Sequence, residues 1–220
     1  MWGPHFRSES RLVISPALEP VAQRSSRSRR RILERWFGPR GAGIIEWFIV
    51  IIGAIFLALV VKLFLLQAFY IPSLSMYPTL HVGDRVLVNK LSYRLHDVNR
   101  GDVIVFERPA SETSSTIPDL IKRVVAISGE SVVIKDGSVF VDGTRLNENY
   151  LPDGTVTSTA NAPNKCTEQA PCVIPNGEVW VMGDNRSDSK DSRYFGPIDK
   201  SSIVGRAFIT VWPLGRFGLL

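Results

Sequence analysis

Residues 131–143 read SVVIKDGSVFVDG and carry the clearest indication of the fold. Two runs of β-branched and aromatic residues, VVI and VFV, flank the polar segment KDGS at residues 135–138. An Asp-Gly pair between two such runs is typical of a tight turn that joins antiparallel strands. This stretch therefore predicts a β-hairpin.

Further short runs of Val, Ile and Phe, each bounded by turn residues, occur on both sides of this hairpin. They are RVLVNKL (85–91), DVIVFER (102–108), LIKRVVAI (120–127), EVWVMG (178–183) and SIVGRAFITVW (202–212). No amphipathic helical pattern is evident after Pro72. We therefore expect residues 71–220 to form a mainly β domain built on an antiparallel sheet. Residues 150–176 are polar and rich in Pro, Asn and Thr, and they predict a long inserted loop region.

A strongly apolar segment precedes this domain. Residues 44–70 read IIEWFIVIIGAIFLALVVKLFLLQAFY, with an uncharged centre at 47–61. About 22 helical residues at about 1.5 Å each give about 33 Å, enough to cross a bilayer. A buried helix of a soluble protein is the alternative, but such a helix rarely stays apolar on every face over about six turns. A cleaved signal peptide is disfavoured because the segment is too long and no A-x-A site closes it. The segment is predicted to be a transmembrane signal anchor.

The first 43 residues are basic and are predicted to be largely disordered. They carry nine arginines against three glutamates, a balance of +6. Because the whole chain has a net charge of +5, the remainder sums to −1. Arginine clusters can bind nucleic-acid phosphates, but beside an apolar span they instead predict a cytoplasmic N-terminus. The domain after Pro72 is then expected outside the cytoplasm.

Cys166 and Cys172 are the two cysteines of the chain. Their spacing suits a disulfide that closes a small loop, worth about 2 kcal/mol in the chain-entropy model, and a pair of free thiols is the alternative. A disulfide agrees with an oxidising compartment. Two cysteines cannot form a structural zinc site alone, and His5, His81 and His96 show no ligand spacing, so no metal is expected.

Four segments are candidates for chemistry. They are IPSLSMYPTL (71–80), GDRVLVNK (83–90), RGDVIVF (100–106) continuing to LIKRVV (120–125), and GDNRSDSKDSRYFGP (183–197). Each alone has a simpler explanation, the first as a proline-stiffened linker and the last as a surface loop of Asx turns. The last also lacks the central glycine and terminal glutamate of an EF-hand calcium loop.

In their order and wording, the four segments together resemble the motifs of bacterial type I signal peptidases. The resemblance covers about residues 44–213, including the apolar span and the closing Trp212-Pro213. It implies a mainly β catalytic domain of signal-peptidase type, preceded by one transmembrane helix. It also implies a membrane-bound serine endopeptidase that removes signal peptides from exported preproteins after small-x-small sites such as Ala-x-Ala.

The resemblance also assigns roles to residues of these motifs. Ser75 corresponds to the nucleophile, and Lys122, the lysine of the IKR segment, corresponds to its general base. Ser73 would add its hydroxyl to an oxyanion hole beside the backbone N–H of Ser75. Because two positions separate the serines, an extended segment is expected to project both to the same side.

The last segment supplies supporting residues in the same comparison. Ser189 is expected to hold the amine of the lysine. Asp191 and Arg193 are expected to pair with each other and to brace the loop.

Elementary chemistry agrees with a serine–lysine pair without selecting the lysine. Lysine is a base only when neutral, and at an ordinary pKa of about 10.4 only about one in a thousand is neutral near pH 7.4. Burial among apolar groups lowers such a pKa. In a regular strand Lys122 shares a face with Leu120, Val124 and Ala126, while Arg123 shares an equally apolar opposite face. Periodicity therefore leaves both faces open, and the choice of Lys122 rests on the resemblance.

The resemblance carries further expectations about surroundings and partners. A lysine base points to a bacterial or organellar enzyme, and the arginine-rich tail to a single-pass protein of a bacterial inner membrane. The expected partners are signal peptides, the lipid bilayer and the secretion translocon, with neither nucleic acid nor a cofactor. Ser75 follows the apolar span closely, so the active site is expected at the outer membrane surface, with substrate bound as an added β-strand.

Two other functions are consistent with parts of the sequence. A self-cleaving repressor of the same broad fold also uses serine and lysine, but it needs a DNA-binding module and an internal cleavage site. An inactive relative acting as a membrane-bound binding protein is the second alternative, although every matched catalytic position is present here.

Overall fold

The computed structural model of the chain describes residues 47–59, 65–113 and 116–220. The predicted tail at 1–43 lies outside the described residues, as do residues 44–46 and 60–64 of the predicted span. Residues 47–59 form a helix, α1, whose side chains are exposed. Across the three described ranges, no helix combines the length and the apolarity needed to traverse a bilayer.

Short strands dominate the part of the chain after α1. In chain order they are β1 (Leu66–Tyr70), β2 (Arg85–Asn89), β3 (Val103–Glu107), β4 (Asp119–Ile127), β5 (Ser131–Lys135), β6 (Ser138–Val141), β7 (Thr144–Arg145), β8 (Cys172–Val173), β9 (Glu178–Met182), β10 (Ile198–Asp199), β11 (Ile203–Trp212) and β12 (Gly218–Leu219). The helices are single turns, α2 (Ser92–Leu95) and α3 (Ser192–Phe195), with 3-10 turns at Lys200–Ser202 and Leu214–Arg216. The prediction of a mainly β domain is confirmed.

The larger sheet has the strand order β1-β2-β11-β3-β4-β9-β10, and β12 pairs with β11. Its neighbouring strands are antiparallel. Burial alternates along β2, where Val86 and Val88 are fully buried between more exposed neighbours. This period of two is the pattern of a strand with one face on the core.

The smaller sheet has the order β7-β6-β5-β8 and contains the predicted hairpin. Lys135 is the partner of Ser138, so the turn consists of Asp136 and Gly137. Both turn residues have positive φ, 49° and 73°, which is the backbone of the type I′ turn that matches strand twist. The hairpin prediction is confirmed.

The region predicted as an inserted loop, 150–176, also contributes to this sheet. Its strand β8 pairs with β5, so the region is not entirely loop. A disulfide joins Cys166 to Cys172, with 4.9 Å between their Cα atoms. Cys166 packs into a buried cluster that includes Trp180, which ties the region to the core between the sheets.

The predicted span was expected to reach residue 70, but its last five residues form β1. Leu66 is the partner of Asn89 and Tyr70 is the partner of Arg85, so the boundary was placed too late. Apolar residues of an edge strand and of a span have the same composition, and backbone pairing with β2 decides between them here.

An irregularity in β4 alters its expected faces. The register with β9 shifts between Val124 and Ala126. Val124 consequently packs in a cluster with Phe106, whereas Ala126 packs in a different cluster with Trp180. The expected grouping of Ala126 with Val124 was wrong, because an extra residue reverses the alternation beyond it.

Candidate active site

The amine of Lys122 meets a serine from a distant segment. Lys122 Nζ lies 2.8 Å from Ser75 Oγ and 3.0 Å from the backbone carbonyl of Ile121. Lys122 is only 3% exposed, whereas Ser75 is partly exposed. An amine shielded from water therefore contacts a hydroxyl that a substrate can reach.

Ser75 lies in a run of turns and bends at 73–80, not in the extended segment that was expected. Met76 and Leu80 anchor this run, since both side chains are fully buried and Leu80 N donates to Met76 O at 2.9 Å. Ser73 Oγ nevertheless lies 3.4 Å from Ser75 Oγ. The two hydroxyls are neighbours because the chain turns, and strand alternation was the wrong reason.

The loop after β9 donates hydrogen bonds to the backbone around Ser75. Asn185 N donates to Ser75 O at 3.1 Å, and Asn185 Nδ2 donates to Leu74 O at 3.2 Å. Gly183 lies so close that a Cβ added to it would come within 2.4 Å of Ser75 O. The beginning of the fourth motif thus positions the segment of the first.

Ser189 does not make its expected contact. Its Oγ is buried and has no hydrogen-bond partner within the described residues. The hydroxyl lies against Gly183, where an added Cβ would approach it to 2.2 Å. In this structure Lys122 Nζ is held by Ile121 O and Ser75 Oγ instead.

Asp191 and Arg193 form the expected pair. Arg193 Nε donates to Asp191 Oδ1 and Nη2 to Oδ2, each at 2.8 Å, and both residues are buried. Asp191 Oδ2 also accepts from Gly183 N at 3.0 Å. A two-donor arginine–carboxylate contact has fixed geometry, so it braces the loop on which Gly183 lies.

A second buried ion pair was not found from the sequence. Arg123 donates to Asp184 through Nε at 2.9 Å and Nη2 at 2.7 Å, and Thr79 Oγ1 donates to the same carboxylate at 2.6 Å. The ring of Tyr150 lies 4.1 Å from the Arg123 guanidinium carbon. The signal in the sequence was that Arg123 lies on a strand face whose other residues are apolar, because a buried cation requires a partner.

Comparison with known proteins identifies the family of the chain. The family model described as "Signal peptidase, peptidase S26" matches residues 44–212. The chain belongs to this family. Similar proteins include "Probable signal peptidase I-2" of Synechocystis sp., 38% identical over 76% of this chain and 72% of that protein. "Signal peptidase IB" of Staphylococcus aureus is 35% identical over 79% of this chain and 92% of that protein.

A crystal structure is also similar in part. It is a signal peptidase I of Enterococcus faecalis, 25% identical, with a TM-score of 0.39 over 50% of this chain and 97% of that one. The family match and the relatives from Synechocystis and Staphylococcus establish the chain as a serine endopeptidase of the signal peptidase type.

Burial sets the protonation of Lys122 in this peptidase. Loss of hydration lowers the pKa of Lys122 from 10.5 to about 8, against the opposing influence of Asp191, Asp184 and Glu112. The amine is therefore close to half neutral at mildly alkaline pH. A lysine in this state can accept a proton from an adjacent hydroxyl.

A mostly apolar cavity of about 200 Å³ has walls that include Ile71, Pro72, Val105 and Ile121. Pro72 directly precedes Ser73, and Ile121 directly precedes Lys122. A cavity with such walls can hold small apolar side chains.

No group of three or more His, Cys, Asp or Glu side chains in the described ranges is arranged to hold a metal ion.

Proposed function

We propose that this chain removes signal peptides from exported preproteins with Ser75 as nucleophile and Lys122 as general base. The observation that supports the proposal is the 2.8 Å contact between a buried Lys122 amine and the Ser75 hydroxyl. Membership of the signal peptidase family supplies the substrate class.

The reaction proceeds through an acyl-enzyme. Neutral Lys122 takes the proton of Ser75 as Oγ attacks the scissile carbonyl carbon. The ammonium then gives this proton to the leaving amine as the peptide bond breaks, which leaves an ester on Ser75. Lys122 next takes a proton from water, whose oxygen attacks the ester. The ammonium returns that proton to Ser75 Oγ as the ester bond breaks and the carboxylic acid product leaves, so the enzyme is regenerated.

Ser73 and the backbone N–H of Ser75 form the proposed oxyanion hole. The 3.4 Å between the two hydroxyl oxygens supports this role, since a carbon attacked by Ser75 would lie near Ser73. Donors that are already in place stabilise the new negative charge without reorganisation, and each is typically worth about 3 kcal/mol.

The cavity walled by Ile71, Pro72 and Ile121 is the proposed site for small side chains near the scissile bond. Its position beside Ser73 and Lys122 in the chain supports this assignment. An apolar pocket of limited volume favours alanine and excludes large side chains, as a small-x-small preference requires. The substrate backbone would pair as an added strand.

Residues 44–65 are the proposed membrane anchor, shortened because β1 begins at Leu66. The arginine-rich tail favours a cytoplasmic N-terminus and an extracytoplasmic catalytic domain in a bacterial inner membrane. The disulfide between Cys166 and Cys172 supports an oxidising location for that domain. Preproteins arriving from the translocon would meet the enzyme at the membrane surface.

Cleavage of a purified preprotein tests the function. The full chain in detergent is incubated with a preprotein that carries an Ala-x-Ala site, and the new N-terminus is sequenced. We expect a single cut after that site, lost in Ser75→Ala and in Lys122→Ala and kept in Lys165→Ala, an exposed lysine. Cleavage that persists in Ser75→Ala would overturn the assignment.

A further inference from the structure

A second cavity, of about 280 Å³, lies away from the serine–lysine pair and is basic. Its lining residues include Lys90, Arg94 and Lys200, together with Tyr93 and the apolar Ile203. Among the described residues that line it, none is acidic. Lys90 ends the second sequence motif, which the catalytic mechanism does not use.

The three cations lack carboxylate partners within the described parts of the chain, whereas buried arginines such as Arg123 and Arg193 are paired. Two acids beside lining residues make other contacts: Asp102, which is bonded to Tyr93, and Asp199, which precedes Lys200. Asp102 binds Arg206 Nε at 3.0 Å, and Asp199 caps its own turn by accepting from Ser201 N. Because no described carboxylate is paired with them, the three cations around this cavity are available to an anion.

The wall of this cavity is fixed by the same Asp102. The carboxylate accepts from Tyr93 OH at 3.0 Å and from Asn99 N at 3.0 Å. Lys200 is held through its backbone, since Lys200 N donates to Gly177 O at 2.8 Å. Tyr93 and the backbone at Lys200, two parts of the cavity wall, are thus held in place.

The cavity adjoins the point where the domain begins. Lys90 N donates to Leu65 O at 3.0 Å, and Leu66 is the partner of Asn89 in the sheet. Leu65 is the last residue of the proposed membrane anchor, directly before β1. Clusters of Lys and Arg next to a span attract anionic lipids, and Tyr, Lys and Arg are typical anchors at the headgroup level.

We propose that the cavity formed by Lys90, Arg94 and Lys200 binds the phosphate of an anionic phospholipid headgroup. The inference rests on the proposed membrane anchor, which would bring lipid phosphates to this end of β1 and β2. Ile203 and the Tyr93 ring offer apolar contact to the glycerol carbons, while the three cations contact the phosphate. Occupancy by a lipid would hold this end of the domain at the membrane surface.

Lipid retention tests the proposal. The full chain is reconstituted in phosphatidylcholine bilayers with phosphatidylglycerol as a minor component, re-extracted in mild detergent and examined by native mass spectrometry. We expect the wild type to retain phosphatidylglycerol over phosphatidylcholine. The triple variant Lys90→Gln/Arg94→Gln/Lys200→Gln should lose this retention at least about tenfold.

A charge-matched control separates a specific cavity from general attraction. The triple variant Arg145→Gln/Lys165→Gln/Lys190→Gln removes three exposed cations elsewhere and should retain phosphatidylglycerol like the wild type. Equal retention in the two triple variants would overturn the proposal. Calorimetric titration of lipid-free protein with inorganic phosphate tests the other source of the anion. If the protein binds phosphate but does not retain phosphatidylglycerol, the ligand of the cavity is a soluble anion and not a lipid.

Two readouts keep this inference distinct from the proposed function. Cleavage of a preprotein in detergent should be unchanged in both triple variants, which also shows that they fold. Resistance of the wild type to extraction by alkaline carbonate tests the anchor alone. A cleaving, carbonate-resistant protein without lipid preference would refute the lipid site and leave the proposed function standing.

Discussion

Arg123 binds the carboxylate of Asp184 with two donors, Nε at 2.9 Å and Nη2 at 2.7 Å, although they lie 61 positions apart in the chain. The arginine follows Lys122 in β4, and the aspartate follows Gly183, which contacts Ser75 O. Thr79 donates to the same carboxylate from the segment of the serine. This pair therefore links the strand of the proposed base to the segment of the proposed nucleophile.

Loss of the Arg123–Asp184 pair should lower the free energy of unfolding. Asp184→Asn leaves the guanidinium of Arg123, whose side chain is 8% exposed, without a counter-charge. Removing one partner of a buried pair typically destabilises by about 3–5 kcal/mol. We expect the free energy of unfolding, measured by urea denaturation, to fall by this amount. Cleavage should also be slower, because Lys122 and Ser75 move apart.

A more exposed ion pair provides the control for Asp184→Asn. In the Arg100–Glu130 pair the arginine side chain is 47% exposed, so Arg100→Gln should cost no more than about 1 kcal/mol. If the two substitutions lower the free energy of unfolding equally, the Arg123–Asp184 pair does not stabilise the fold as argued.

Ser73 provides a test of the oxyanion hole. Ser73→Ala removes one donor 3.4 Å from the Ser75 hydroxyl and leaves the serine–lysine contact in place. We expect kcat for preprotein cleavage to fall about 10²–10³-fold with little change in KM, because the donor acts on the transition state. Ser73→Thr, which keeps a hydroxyl, should restore part of the rate. A Ser73→Ala enzyme with wild-type kcat would exclude Ser73 from the hole.

Local signals in the sequence predicted the hairpin at Asp136-Gly137 and the mainly β domain. Both depend on turn chemistry and strand alternation, which act between close neighbours in the chain. The start of β1 at Leu66 was not predictable in the same way, since LQAFY continues the apolar composition of the span. Its partner, β2, lies beyond the serine segment.

The candidate site was predictable as a set of residues and not as a geometry. The motifs indicated Ser73, Ser75 and Lys122, but the turns that join the serines depend on burial of Met76 and Leu80. Likewise, alternation grouped Ala126 with Lys122 until the bulge in β4 reversed the faces. Long-range pairs and bulges are set by tertiary packing, which a single sequence does not display.

The pH dependence of cleavage follows from the lowered pKa of Lys122. The base is active when neutral, so kcat/KM should rise with pH and level off above about 8, the pKa set by burial. Below that value the rate should fall about tenfold per pH unit, since the neutral fraction falls in proportion. The measurement is a pH series with a peptide substrate that lacks titrating groups in this range, and Lys122→Arg is the inactive reference. A flat profile from about pH 6 to 10 would contradict a lysine base.

Lys122→Met should separate activity from stability. The folded-state pKa of about 8 lies below the ordinary value of 10.5, so the charged amine destabilises the folded protein. This penalty, about 3 kcal/mol, is fully present below about pH 8, declines as pH rises and vanishes above the unfolded pKa. The inactive Lys122→Met variant should therefore be more stable than the wild type at pH 7, by up to that amount. The gain should shrink in urea denaturation series as pH increases toward 10.5.

The control is Lys165→Met, at an exposed position, which should change stability by less than about 0.5 kcal/mol at every pH. If Lys122→Met shows no gain at pH 7, or a gain that is the same at all pH values, then burial does not destabilise the charged amine.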